Sequence, residues 1–406
     1  MTEKEGASPA GRLVRESEIF REPPGSGNRS SSLGAMVGIE LFAGPGRARR
    51  ARPSKTIVEP ARRIPVFAEA DVLVVGGGPA EALKTLSMRM ANEARVRLLL
   101  HAWAVAPIVE GHTVKGAIFE SKEGRHAVLA KVVVDTTGDA DLIARSGASC
   151  ECDIDAGDIH HCMNTAFLIG GVDMGRWLAF RYGDPDGFAA FMALGRERVK
   201  FFEKPFVSWR NDVALFMGPR LAGYSAVDVE DLSAVELRSR ELAIGHLEVY
   251  REAAPGFSGA FLMLGAPQIG VRHSRRLVGM GRVTRQQWDS GHVFDDEIGV
   301  STSLSPKTPN ISVPYGALVP ERLDGILGAG RHIACDPSSH TFLREIPQCW
   351  FTGQAAGVAA ALAADSGTPP RDVAVRAIQR ELLRQGAYLS PAIVTALAPM
   401  AVAVAE

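Results

Sequence analysis

Hydrophobic and polar positions along the chain change period several times, and each change marks an element. Residues 71–75 (DVLVV) form a short apolar run ending on three glycines, which predicts a buried parallel strand entering a tight turn. From residue 79 to about residue 94, Leu83, Leu86 and Met90 fall at helical spacing, with Pro79 where a first helical turn tolerates it. Residues 96–105, 114–120 and 127–134 read as strands, separated by the turn sequences EGH at 110–112 and KEG at 122–124. Beyond residue 160 the character shifts: an amphipathic helical pattern around 235–251 mixes with a strand-like 165–169 and aromatic-rich loops. Residues 325–329 are strand-like again. An alanine-rich helix follows over about 353–364, stopped by SGTPP at 366–370. Residues 1–55 show no sustained period and are rich in Gly, Ser, Pro and Arg, so they predict a disordered arm ending in the basic stretch 46–55.

Composition narrows the classes. The chain has 406 residues, enough for two or three domains, and its 46% apolar content can fill a sizeable core. Lys and Arg number 45 against 46 Asp and Glu, so no global field favours nucleic acid or an anionic membrane. The five cysteines are too few for a disulfide scaffold and lack metal-site spacing. With no membrane-length apolar run and a polar start, the expected setting is the cytoplasm.

A dinucleotide site needs glycines after its first strand so that the backbone can approach a pyrophosphate at a helix N-terminus. Gly76 and Gly78, followed by Pro79 and Ala80, supply the first two glycines. The third falls on Glu81, and the acidic residue expected about 20 positions on is His101 instead. By pattern alone, a nucleotide site and a plain strand–turn–helix fit equally well.

Several separated segments, however, resemble one family. They are residues 56–80 (TIVEPARRIPVFAEADVLVVGGGPA), 81–105 (EALKTLSMRMANEARVRLLLHAWAV), 131–148 (KVVVDTTGDADLIARSGA), 269–279 (IGVRHSRRLVG), 311–333 (ISVPYGALVPERLDGILGAGRHI) and 344–363 (REIPQCWFTGQAAGVAAALA). Together they look like an FAD-dependent oxidoreductase related to the flavoprotein subunit of heterodisulfide reductases. The resemblance implies an α/β fold: a discontinuous, N-terminally truncated FAD/NAD(P)-binding Rossmann-like domain over 56–160 and 311–406, with an inserted α+β substrate domain over 161–310. It also implies that the first Rossmann helix and second strand are deleted after Ala80, so that Glu81 and His101 belong to a different element joined directly to the turn. The resemblance would place Thr137, Gly138 and Asp139 beside FAD and Gly330 with Arg331 at a second glycine turn. Gly353, Gln354, Ala355 and Gly357 would open a helix whose N-terminal dipole faces the flavin. The implied activity is hydride or electron transfer between a small-molecule substrate and flavin; the alternative is a catalytically silent remnant that no longer holds FAD.

Outside the glycine turns, Arg272, His273, His340 and Arg344 are candidate catalytic residues, because arginine forks suit carboxylates and histidine moves protons near neutral pH. Ion pairs and a solvated loop histidine are the plainer uses of the same residues. Cys150, Cys152, Asp158, His160, His161 and Cys162 do not form a recognised zinc spacing, so no metal site is expected. The resemblance raises a 4Fe-4S cluster, but the cysteine run that would ligate one is absent.

Overall fold

A computed structural model describes residues 12–14, 41–43, 63–75, 81–152, 162–207, 210–302 and 309–402. The chain divides into two compact units, one of residues 1–55 and 153–274 and one of residues 56–152 and 275–406. The expected disordered arm lies almost wholly outside the described residues, as does the glycine turn itself, residues 76–80.

The second unit opens with strand β1 (Val66–Val75), helix α1 (Glu81–Glu93), a meander of β2 (Trp103–Glu110), β3 (Thr113–Ser121) and β4 (Gly124–Asp135), and the short helix α2 (Asp141–Arg145). Both predicted hairpin turns form, joining Glu110 to Thr113 and Ser121 to Gly124. Strand β1 runs parallel to β4 from Val66 to Val75, as its apolar run predicts. It is not buried as predicted: Val66 and Val74 are 52% and 56% exposed, because β4 is its only strand neighbour among the described residues. The predicted strand over 96–105 is also shortened. It starts at Trp103, which pairs with Glu120 one position before β3 ends, so residues 96–102 have no ladder to join. Their apolar side chains stay outside, with Leu100 and Trp103 60% and 74% exposed; Leu86, Met88 and Met90 of α1 are exposed as well.

The first unit contains β5 (Phe167–Gly170), α3 (Met174–Gly183), α4 (Pro185–Val199), β6 (Val213–Phe216), α5 (Val229–Ala253) and β7 (Phe261–Gly265). Strand β5 lies between β6 and β7, antiparallel to both. Asp228 caps α5 by accepting from the backbone N–H groups of Glu230 and Asp231. Val235, Leu242 and Val249 repeat every seventh position on its buried face, beside His246 and Tyr250. These residues join Trp177, Phe167, Phe216, Phe202 and Phe257 in an aromatic core.

His246 is fully buried, stacked on Phe202, and its two ring nitrogens are committed. Nε2 accepts from the Glu203 N–H, so Nδ1 carries the proton it donates to the Leu242 carbonyl. Burial lowers its pKa from 6.5 to about 4. The unfolded chain protonates this ring near pH 6.5 and the native chain does not. Its contribution is therefore full above about pH 6.5 and is lost as pH falls towards 4. Urea midpoints of this unit should show a loss of about 2 kcal/mol between about pH 7.5 and pH 5, and the drop should flatten in His246→Gln.

The chain then returns to the second unit through β8 (Glu297–Ser301), β9 (Ile311–Pro314), β10 (Ile326–Gly328), α6 (Pro337–Leu343), α7 (Ile346–Ser366) and α8 (Val375–Arg384). Strand β10 pairs in parallel with the carboxyl half of β4, whose other half pairs with β3 on that side. With neighbours on both sides, Val132, Val133 and Val134 are at most 2% exposed. Helix α7 packs on β4, β1 and β10 through Ala355, Ala356, Ala359, Ala360 and Ala363, whose small side chains permit close approach. It begins at Ile346, seven residues before the predicted start, because Pro347 occupies its first turn.

Candidate functional site

Three parallel strands, β1, β4 and β10, end side by side at Val75, Asp135 and Gly328. Loops beyond the carboxyl ends of such strands form the usual ligand crevice of an open α/β sheet. Asp135, fully buried, organises the loop after β4. One carboxylate oxygen accepts from the Thr137 N–H and hydroxyl, and the other from the Leu142 and Ile143 N–H groups at 3.0 Å each. Thr136 ties the same loop to β1 by donating its N–H and its hydroxyl to the Val75 carbonyl. Gly138 has φ of 81°, and a Cβ there would lie 3.0 Å from the Arg331 guanidinium carbon.

The loop after β10 is held just as firmly. The Gly330 N–H donates to the Thr352 hydroxyl of α7, and Gly330 has φ of 97°. The Arg331 carbonyl accepts from His340 Nε2 at 2.9 Å, so that nitrogen carries the ring proton. Arg331 itself crosses to the first loop, where Nη2 donates to Asp139 Oδ1 at 2.6 Å. The predicted residues Thr137, Gly138, Asp139, Gly330 and Arg331 therefore meet in one place.

Other candidates fall elsewhere. Gly353, Gln354, Ala355 and Gly357 lie inside α7 and do not open it; the helix N-terminus is at Glu345 and Ile346. His340 is not the loop histidine of the sequence reading, since it sits in α6 and is fully buried. Arg344 ends α6 and its Nη1 lies 3.2 Å from the Glu345 carboxylate. Arg272 and His273 belong to the first unit, Arg272 half-buried and His273 buried. Their neighbours Arg275 and Arg276 are structural in the second unit: Arg275 donates to Asp141, and Arg276 to Glu151 and the Cys335 carbonyl. Gly76, Gly78, Pro79 and Ala80 are outside the described residues.

Sequence reading missed Asp135, Thr352 and His332. Asp135 had a signal, a lone carboxylate closing the run VVVD. His332 is fully buried with neither ring nitrogen partnered, and burial lowers its pKa. Cys349, whose sulfur lies 3.9 Å from where a Gly330 Cβ would stand, is pushed up to about 11 by burial and stays a thiol.

A model of the FAD dependent oxidoreductase family matches residues 79–382. The chain belongs to that family. Membership accords with the mixed α/β, Rossmann-like arrangement of β1, β4 and β10. Among solved structures the chain is similar to a triple mutant of the flavin-dependent brominase Bmp2, at 15% identity and a TM-score of 0.36. It is similar also to the myxobacterial chondrochloren halogenase CndH, at 10% and 0.36, and to a geranylgeranyl bacteriochlorophyll reductase-like protein from Thermoplasma acidophilum, at 12% and 0.35. These matches cover 74%, 75% and 78% of this chain, which spans 59%, 55% and 66% of theirs. No curated protein matches. Among the described residues no group of three or more His, Cys, Asp or Glu could hold a metal ion, and nothing in the family match points to a 4Fe-4S cluster. No helix among them is long and apolar enough to cross a membrane.

The residues can be tested against FAD. A Cβ built on Gly330 would meet the Cys349 sulfur at 3.9 Å, and nothing lies within 4 Å of a Cβ built on Gly353 or Gly357. Arg331 Nε is buried without an acceptor. These features fit the pyrophosphate part of a dinucleotide.

Proposed function

We propose that this chain is an FAD-dependent oxidoreductase that passes hydride or electrons between a small-molecule substrate and bound flavin. The observation that carries the reading is the meeting of two glycine loops, Thr137 to Asp139 and Gly330 with Arg331, at the carboxyl ends of parallel strands in a chain of this family. When bound, FAD supplies the redox chemistry, and the protein supplies orientation and electrostatics. Gly330 and Arg331 would receive the pyrophosphate, with Thr137, Gly138 and Asp139 beside it and the Gly353 to Gly357 face of α7 along the cofactor. Gly76, Gly78, Pro79 and Ala80 would complete the cradle at the end of β1.

We assign residues 161–310 to the substrate side, with Arg272 and His273 as the groups that meet a small anionic substrate. His340 and Arg344 would act through the loop they support. We further relate the chain to the flavoprotein subunit of heterodisulfide reductases, with a helix and a strand missing after Ala80. Supporting that, β1 has one strand neighbour among the described residues, and Leu86, Met88 and Met90 of α1 are exposed together with Val96, Leu98, Leu100 and Trp103.

The direct test is the absorbance of purified protein before and after FAD is added. A yellow protein, or one that turns yellow and releases FAD on unfolding, is the expected result. Colourless protein that ignores FAD overturns the reading and identifies a silent remnant.

A further inference from the structure

We propose that Arg331, which donates to Asp139, is an anion-binding arginine, and that the pyrophosphate of an incoming dinucleotide takes the place of the Asp139 carboxylate. This rests on the dinucleotide reading of the strand-end loops. Four observations carry it. The backbone around Arg331 is fixed, by Thr352 on the Gly330 N–H and by His340 on the Arg331 carbonyl, so the side chain is the movable part. The ion pair itself is about a quarter exposed on both sides, 25% and 23%, and so can be reached from solvent. Its guanidinium lies against the backbone of Gly138, across the mouth between the two loops. Finally, Asp139 takes one donor of the fork, while Nε is buried with no acceptor.

An arginine has five N–H donors in a plane and suits two oxygens of one phosphate. The contact to Asp139 uses one of these donors and leaves the buried Nε–H without an acceptor. A phosphate arriving there meets a carboxylate of its own sign, and the two anions compete for one guanidinium. Nearby charges do not remove that competition. Asp141 is paired with Arg275, and Asp135 is saturated by the Thr137, Leu142 and Ile143 donors.

The test uses the full chain and four variants, Asp139→Asn, Asp139→Ser, Arg331→Ala and Arg331→Lys, with FAD and inorganic pyrophosphate as titrants. Binding is read by calorimetry and by quenching of flavin fluorescence, and thermal midpoints confirm folding. Both Asp139 variants should bind FAD and pyrophosphate about 5- to 20-fold more tightly than the unaltered chain. Arg331→Ala should bind at least about tenfold more weakly, with a shallower salt dependence. Arg331→Lys should fall between, because it keeps the charge and loses the fork. Adding Arg331→Ala to Asp139→Asn should cancel the gain. If the unaltered chain binds FAD and neither Asp139 variant binds more tightly, the exchange is wrong and Asp139 is a direct ligand. If pyrophosphate follows the expected pattern and FAD binds nowhere, the exchange stands and the flavin reading falls. If pyrophosphate ignores all variants, Arg331 is not an anion site.

Discussion

Replacing Asp135 by alanine should destabilise the unit of residues 56–152 and 275–406 by about 4 kcal/mol. The carboxylate is fully buried and accepts four hydrogen bonds, and its removal leaves the N–H groups of Thr137, Leu142 and Ile143 without an acceptor. Each buried donor left unpaired costs about 1 to 3 kcal/mol. Asp135→Asn keeps the shape, but its amide nitrogen must face N–H groups on one side or the other, so about half of the loss should remain. Urea midpoints measure the total, and hydrogen exchange over residues 132–145 places it. A loss under about 1 kcal/mol for Asp135→Ala would mean that water replaces the carboxylate and that the loop is not organised by it.

In the other unit, Glu203→Ala should cost about 3 to 5 kcal/mol. Glu203 and Arg220 have side chains only 11% and 7% exposed, and the carboxylate accepts from Arg220 and from the Gly218 N–H. Burial pushes the Glu203 pKa up, against the opposing pull of Arg220. Removing one partner strands the other, and Arg220 already has a buried Nε with no acceptor. A Glu203→Leu, Arg220→Met double variant should recover most of the loss, because paired burial of charge is worth little over well-packed apolar side chains. Equal losses in the single and double variants would show that packing, and not the stranded charge, sets the cost.

Much of the fold could be read locally. The period of α5, the two hairpins and the apolar run of β1 are properties of neighbouring residues, and they form where the pattern puts them. What lies beside β1 is decided by residues far away in sequence, so its exposed edge could not be read from its valines. The start of α7 had a local signal in Pro347, but the family resemblance puts the helix opening at residues 353–357, and that hid it. The site divides the same way. Glycines at 138 and 330 follow strand-like runs and stand out, and family resemblance gave them a use. The pairing of Arg331 with Asp139 joins residues 192 positions apart, and no periodicity encodes it. Asp135 stood out only as a carboxylate closing an apolar run, and its four donors, on Thr137, Leu142 and Ile143, come from the fold.

Among the described residues strand β1 is attached to its sheet by one ladder, along β4, with α7 against its face. Strands held on one side open at lower free energy than those held on two, so β1 should exchange its amide hydrogens sooner than β4. Its carboxyl end, Val75, lies at the strand ends where we propose that the cofactor binds. A ligand seated there would have to draw on its own binding energy to keep the strand docked. Affinity and the local order of residues 66–75 are then one linked quantity, and a saturating ligand would slow exchange there by the same factor with which it favours the closed strand.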